Sequence, residues 1–291
     1  MSFRHPGYLP LEPAQEVSTS GEILRAAAMR FPDKTGLICG ARAWSFAEWD
    51  ALANRFAHAV REAAADDGPV AIMAGNCAEY AIAHFGAARS GRYSVNLPTR
   101  CGADELVHAV NLARPALVVF DDKARELIEA CWAEFNRKPA RLAIEPRPGE
   151  TPFWTFLQGA STAPPDIEID PDAPGSVIFT GGTTGRPKAV LATQHARAIS
   201  AMAAVEDFRI APDTIAGYSV PLTHTAGLFS WFQPAVLAGC TGVMIPKWDP
   251  EAFMALAEEH AISMIFAVPS QLAILLDHPG FAPQRLRSLK R

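Results

Sequence analysis

The chain has 291 residues, 49% of them hydrophobic, with 26 Lys and Arg against 31 Asp and Glu for a formal charge of −5. A chain of this length buries roughly three quarters of its extended surface, enough for one large domain or two smaller ones. Its apolar content excludes a disordered chain, its mild acidity argues against a nucleic-acid partner, and its 24 prolines point to many ordered turns rather than a helical bundle.

The first helical pattern runs from Ser20 to Met29, where Ile23, Leu24, Ala27 and Ala28 share a face and Pro32 closes the segment. A second helix is predicted from Ser45 to Ala64. Ser45 and Glu48 stand at capping-box spacing, and Leu52, Phe56 and Val60 supply its apolar face. Pro69 to Met73 reads as a short buried strand, and Ala78 to Ser90 as a helix ended by Gly91. The rhythm repeats with a helix over 104–113, an apolar strand over 116–120 and a helix over 124–135. Such β-α units predict an α/β fold of two mainly parallel sheets flanked by helices.

Between Arg137 and Pro174 the composition shifts to proline and acidic residues, which predicts a surface connection at 137–174 between a first lobe, 1–136, and a second, 175–291. The second lobe opens with a strand at 176–180, a glycine-rich turn and a β-branched run at 189–192. Thr193 is placed to cap a helix over 194–205, and a helix at 251–260, a strand at 262–268 and a helix from Pro269 follow. No Asp, Glu, Lys or Arg occurs from Thr214 to Pro246, a run longer than the roughly 20 residues that span a bilayer. Ser219, His224, Ser230, Gln233 and interior prolines and glycines interrupt it, so a buried segment is expected and no membrane span. The five cysteines include no C-x-x-C pair, and the N-terminus has no signal-like apolar core, so a cytoplasmic protein with free, buried thiols is expected.

The chemistry concentrates in Phe179-Thr-Gly-Gly-Thr-Thr-Gly-Arg-Pro-Lys188. Gly181, Gly182 and Gly185 let the backbone turn its N–H groups toward an anion, and Thr180, Thr183 and Thr184 add neutral donors. Lys188 adds a compact positive charge suited to phosphate oxygens, with Pro187 restricting the chain beside it. A Walker loop needs Gly-Lys followed at once by Ser or Thr, and a dinucleotide fingerprint needs G-x-G-x-x-G opening a helix; neither fits.

This run resembles the phosphate loop of the adenylate-forming (AMP-binding) superfamily, in particular its acyl- and aryl-coenzyme A ligases, differing only where Ala189 replaces the usual closing Gly. Asn76 to Tyr80, Asn96 with Pro98, Pro221-Leu-Thr-His224, Gly239 to Gly242, Trp248 to Pro250 and Val268 to Ser270 extend the resemblance over about residues 20–289. It implies attack of a carboxylic acid on the α-phosphorus of ATP with release of pyrophosphate, then transfer of the acyl group to coenzyme A. Mg²⁺ would bridge phosphate oxygens. By the same resemblance Lys188 is the catalytic cation, the residues Thr180 to Gly185 bind nucleotide, and His224 borders the acid pocket. No residue of this stretch is assigned as a metal ligand. Relatives continue into a Tyr-Gly-x-Thr-Glu segment, a ribose-binding Asp and a mobile domain carrying a Lys, so the chain is expected to be an N-terminal portion, inactive alone. It would pair with the missing half or with itself. Two other readings stay open: a non-catalytic remnant acting in binding or assembly, and an amino-acid-adenylating domain, which usually carries Phe-Asp-x-Ser where this chain has Pro221 to His224.

Overall fold

Local signals start the helices. The structure is a computed structural model and describes residues 16–63, 67–181 and 186–290. The Ser45 N–H donates to Glu48 Oε2 at 2.7 Å and the Glu48 N–H to Ser45 Oγ at 3.2 Å, closing the expected capping box. It satisfies two donors that a first helical turn leaves without partners. Asp121, Thr193 and Asp249 likewise each accept from the N–H three residues on.

In chain order, α1 (Glu22–Arg30) is followed by the hairpin β1 (Thr35–Cys39) and β2 (Arg42–Ser45), α2 (Phe46–Ala63), β3 (Val70–Met73), α3 (Ala78–Arg89) and β4 (Ser94–Asn96). Next come α4 (Ala103–Ala113), β5 (Leu117–Phe120), α5 (Asp122–Cys131), β6 (Ala140–Ala143), β7 (Thr151–Pro152) and α6 (Phe153–Phe156). Then follow β8 (Pro174–Thr180), β9 (Lys188–Thr193), α7 (Gln194–Asp207), β10 (Ile215–Tyr218), the short α8 (Thr225–Gly227) and α9 (Gln233–Ala238). The chain continues with β11 (Thr241–Met244), α10 (Pro250–His260), β12 (Met264–Ile265) and α11 (Pro269–Leu276).

The strands form two sheets, in the orders β7-β6-β5-β3-β4-β8-β9 and β12-β10-β11-β1-β2. All pairings are parallel except β8 with β9 and β1 with β2. Alternation along β3 sorts its side chains: Val70 and Ile72 join the core that links both sheets through α1, α2, α3, α7 and α9, while Ala71 and Met73 face the layer of α4 and α5. On the far side of the smaller sheet, α10 and α11 pack on Val243 and Ile245. The result is two sheets with helices between and outside them, the arrangement that β-α units allow for parallel sheets.

The lobes do not follow the linear division at 137–174. Strands β8 and β9 complete the sheet of β3 to β7, whereas β1 and β2 lie in the other sheet beside β11, so the two halves of the sequence interleave. The proline-rich stretch itself contributes β6 and β7, because the 140–143 backbone pairs with β5. The expected strand over 262–268 shortens to two residues: Ala261 takes a left-handed conformation, and the Ile262 N–H still bonds to Ala257 O at the end of α10. The helix expected to reach Phe135 ends at Cys131 and tightens into a 3₁₀ turn at Trp132–Glu134. The charge-free run from 214 to 246 folds as β10, α8, α9 and β11, and among the described residues no helix is long and apolar enough to cross a membrane.

Candidate nucleotide and acid site

The carboxyl end of β8 carries the phosphate-loop run. β8 and β9 form an antiparallel hairpin in which Phe179 pairs with Ala189 and Thr180 with Lys188. Two residues eight apart in sequence thereby stand face to face at the mouth of the loop, with the Thr180 hydroxyl 3.5 Å from Lys188 O. Lys188 and Gly181 are exposed, and nothing lies within 4 Å of the position a Cβ on Gly181 would take. Among the described residues Lys188 makes no ion pair, which leaves its ammonium available to a bound anion. Gly182, Thr183, Thr184 and Gly185 lie outside the described residues. Beyond the loop, Pro187 O is 3.2 Å from His108 Nε2 on α4, a contact for which the sequence carries no signal.

His224 sits where β10 leaves the other sheet. It caps α8 with its side chain, Nδ1 accepting from the Ala226 N–H at 3.2 Å, and its own N–H donates to Pro221 O at 3.0 Å. The ring is exposed. The helix behind it widens into a π-turn at Leu228–Phe232, a distortion found mostly at functional sites. Phe229, Trp231 and Phe232 of that turn are buried, so they are core rather than open pocket wall.

Asn76 joins the carboxyl ends of the two sheets. Its Nδ2 donates to Tyr218 O at 2.9 Å and Val220 O at 3.1 Å, and its Oδ1 accepts the Leu222 N–H at 2.9 Å. The hairpin and the His224 turn therefore leave two sheets whose carboxyl ends meet at one place, the side of parallel sheets where ligands bind. The hydrogen bonds of His224 stay within its own turn, and it makes no bond to Thr180 or Lys188.

Buried polar groups beside this region were not legible in the sequence. His84 Nδ1 lies 3.2 Å from Ser94 Oγ and Nε2 lies 2.9 Å from Gln233 Nε2, with the ring fully enclosed. Burial, reinforced by the Arg197 guanidinium, pushes its pKa down to about 3, so the imidazole is neutral. Arg197 donates through Nε to Ser176 Oγ at 2.8 Å and stacks 3.7 Å over Phe229; burial lowers it to about 10, and it stays charged at neutral pH. All five cysteines are free, and burial raises every one of them, Cys101 to about 11 and Cys240 to about 12. Thiols held protonated are poor nucleophiles.

The β8–β9 hairpin and the two strand orders define an α/β protein of two mainly parallel sheets flanked by helices. The family described as AMP-binding enzyme matches residues 24–291, and the chain belongs to it. Among curated relatives, it is 27% identical to the 3-hydroxybenzoate–CoA/4-hydroxybenzoate–CoA ligase of Thauera aromatica, over 96% of this chain and 55% of that protein. It is 28% identical to the indoleacetate–CoA ligase of Aromatoleum aromaticum (strain DSM 19018 / LMG 30748 / EbN1), over 89% of this chain and 51% of that protein. The chain thus spans about half the length of these relatives. The fold matches that of the anthranilate CoA ligase AuaEII in complex with anthranoyl-AMP, with a TM-score of 0.86 at 18% identity over 98% of this chain and 54% of that one.

Proposed function

We propose that this chain provides the triphosphate grip and one border of the acid site of an enzyme that activates a carboxylic acid with ATP, first as the acyl-adenylate and then as the coenzyme A thioester. The observation that carries the reading is the pairing of Thr180 with Lys188 across the mouth of the 181–187 loop, with the Lys188 ammonium unpaired among the described residues. The names of the relatives support the acid–thiol chemistry and make an aromatic acid the first substrate to try.

In the first step a carboxylate oxygen bonds to the α-phosphorus, the bond from that phosphorus to the bridging oxygen breaks, and pyrophosphate leaves with the electron pair. Charge grows on the leaving group, so the Lys188 ammonium, carried at the mouth of the loop by the strand that pairs with Thr180, stabilises the transition state more than the ground state. His224 is exposed with Nδ1 engaged by the Ala226 N–H, and in this reading it meets the acid through Nε2. Among the described residues no three His, Cys, Asp or Glu side chains converge as a cation cage, and no step here is routed through a metal.

The proposed division of labour is that these residues bind the phosphates while turnover needs groups outside them. ATP–pyrophosphate exchange with a hydroxybenzoate tests this on the chain alone. The expected result is ATP binding without acid-dependent exchange. Robust exchange overturns the division of labour, and failure to bind ATP at all overturns the reading.

A further inference from the structure

Both backbone polar groups of Leu222, two residues before His224, are bonded by side chains from the segment that follows β3 of the other sheet. Asn76 Oδ1 accepts its N–H at 2.9 Å, and the Tyr80 hydroxyl lies 2.9 Å from its carbonyl oxygen. The same hydroxyl is 2.5 Å from Asn96 Oδ1, so one proton is shared between two acceptors. Asn96 Nδ2 in turn donates to Val177 O at 3.2 Å, in β8 and three residues before Thr180. A continuous chain of bonds thus runs from the strand that feeds the phosphate loop to the turn that carries His224. Asn76, Tyr80 and Asn96 are 4%, 0% and 0% exposed.

Burying three uncharged polar side chains costs free energy unless each is satisfied, and apolar residues would fill the same volume without that demand. Their targets show what they do. The bonds from Asn76 and Tyr80 fall on Tyr218 O, the last residue of β10, and beyond it on Val220 O, Leu222 N and Leu222 O, where sheet partners run out. Side chains here replace the missing ladder.

We infer that Asn76, Tyr80 and Asn96 are positioning residues that hold the His224 turn in register with the phosphate-loop strand, so that acid and nucleotide meet in one geometry. The functional half of this inference rests on the reading of the His224 turn as a border of the acid site.

The test is amide hydrogen exchange and ring ¹H–¹⁵N spectra of the ligand-free chain, comparing wild type with Tyr80→Phe, which removes one hydroxyl, and Asn76→Ala. Exchange at the Leu222 and His224 amides is expected to accelerate roughly tenfold in each variant, while Ile72 in β3 and Val119 in β5 keep their wild-type rates. The His224 ring signals are expected to lose the signature of an Nδ1 acceptor. Uniform acceleration, unchanged rates at Leu222, or an unchanged His224 spectrum overturns the inference and leaves ordinary core residues. Should Asn76→Ala fail to fold, Tyr80→Phe decides alone. No ligand enters this measurement, so a chain that binds no ATP counts against the proposed function and not against the clamp.

Discussion

Gly227 makes the tightest backbone approach in the His224 turn, and one added methyl group tests the geometry there. A Cβ at this position would lie 2.3 Å from Pro221 O, 2.8 Å from Val220 O and 2.9 Å from Pro221 C. Carbon–oxygen contacts settle near 3.3 Å or beyond, so the Pro221 carbonyl must retreat by roughly 1 Å and that of Val220 by roughly half as much, and the neighbouring peptides that Asn76 holds must follow. Gly227 is helical, which removes φ strain from consideration and leaves overpacking, worth about 1–3 kcal/mol. In a domain of this size that corresponds to a fall in Tm of roughly 2–8 °C by calorimetry. Gly75→Ala is the matched control, because its Cβ would meet nothing nearer than 3.7 Å and should leave stability within about 0.5 kcal/mol of wild type. In a ligase that contains this chain, Gly227→Ala should raise the acid KM and spare that for ATP. Equal Tm values for the two glycine variants refute the steric reasoning.

Three further outcomes follow from buried charge and burial. Asp50→Ala leaves Arg89, 6% exposed, without the carboxylate it meets at 2.5 Å, and should cost about 3 kcal/mol in denaturant titrations, more than Arg89→Met costs in the same background. His84 has its pKa lowered from 6.5 to about 3 on folding, so the unfolded chain binds the extra proton and stability falls as pH drops below about 6.5. Between pH 7 and 5 the wild type should lose more stability than His84→Gln; parallel pH profiles would contradict a neutral His84. Finally, the raised thiols of Cys101 and Cys240 should alkylate far more slowly at pH 7.5 than a free cysteine peptide, as followed by intact mass.

What could be read in the sequence was local. Ser45 and Glu48 announced a helix by their spacing, Thr193 announced its cap, and the apolar run of β5 announced a strand covered on both faces, because each signal depends only on neighbours along the chain. The strands expected at 176–180 and 189–192 on either side of the glycine-rich turn are present, but their antiparallel pairing was not read from the sequence. The sheet to which a strand belongs was not legible: β1 pairs with β11, some two hundred residues away, and nothing in Ile38 or Val243 encodes that partner. For the same reason 137–174 read as a connection although it supplies β6 and the edge strand β7. The expectation for His224 came from resemblance to a family segment, yet the residues bonded toward its turn lie between β3 and α3, on α3 and on β4. Asn76, Tyr80 and Asn96 stood in recognised stretches without any sign of their target, since a side chain bonded to a remote carbonyl leaves no pattern in the carbonyl's own sequence.

The grip of the 179–188 hairpin on phosphate is tested most directly by calorimetric titration of the chain with ATP and with inorganic pyrophosphate, for wild type and Lys188→Met. The account predicts that wild type binds both and that loss of the ammonium weakens each roughly 10- to 100-fold, as expected for one charge-assisted hydrogen-bonding group. Wild type that binds neither, or a Lys188→Met chain that binds both unchanged, would contradict it.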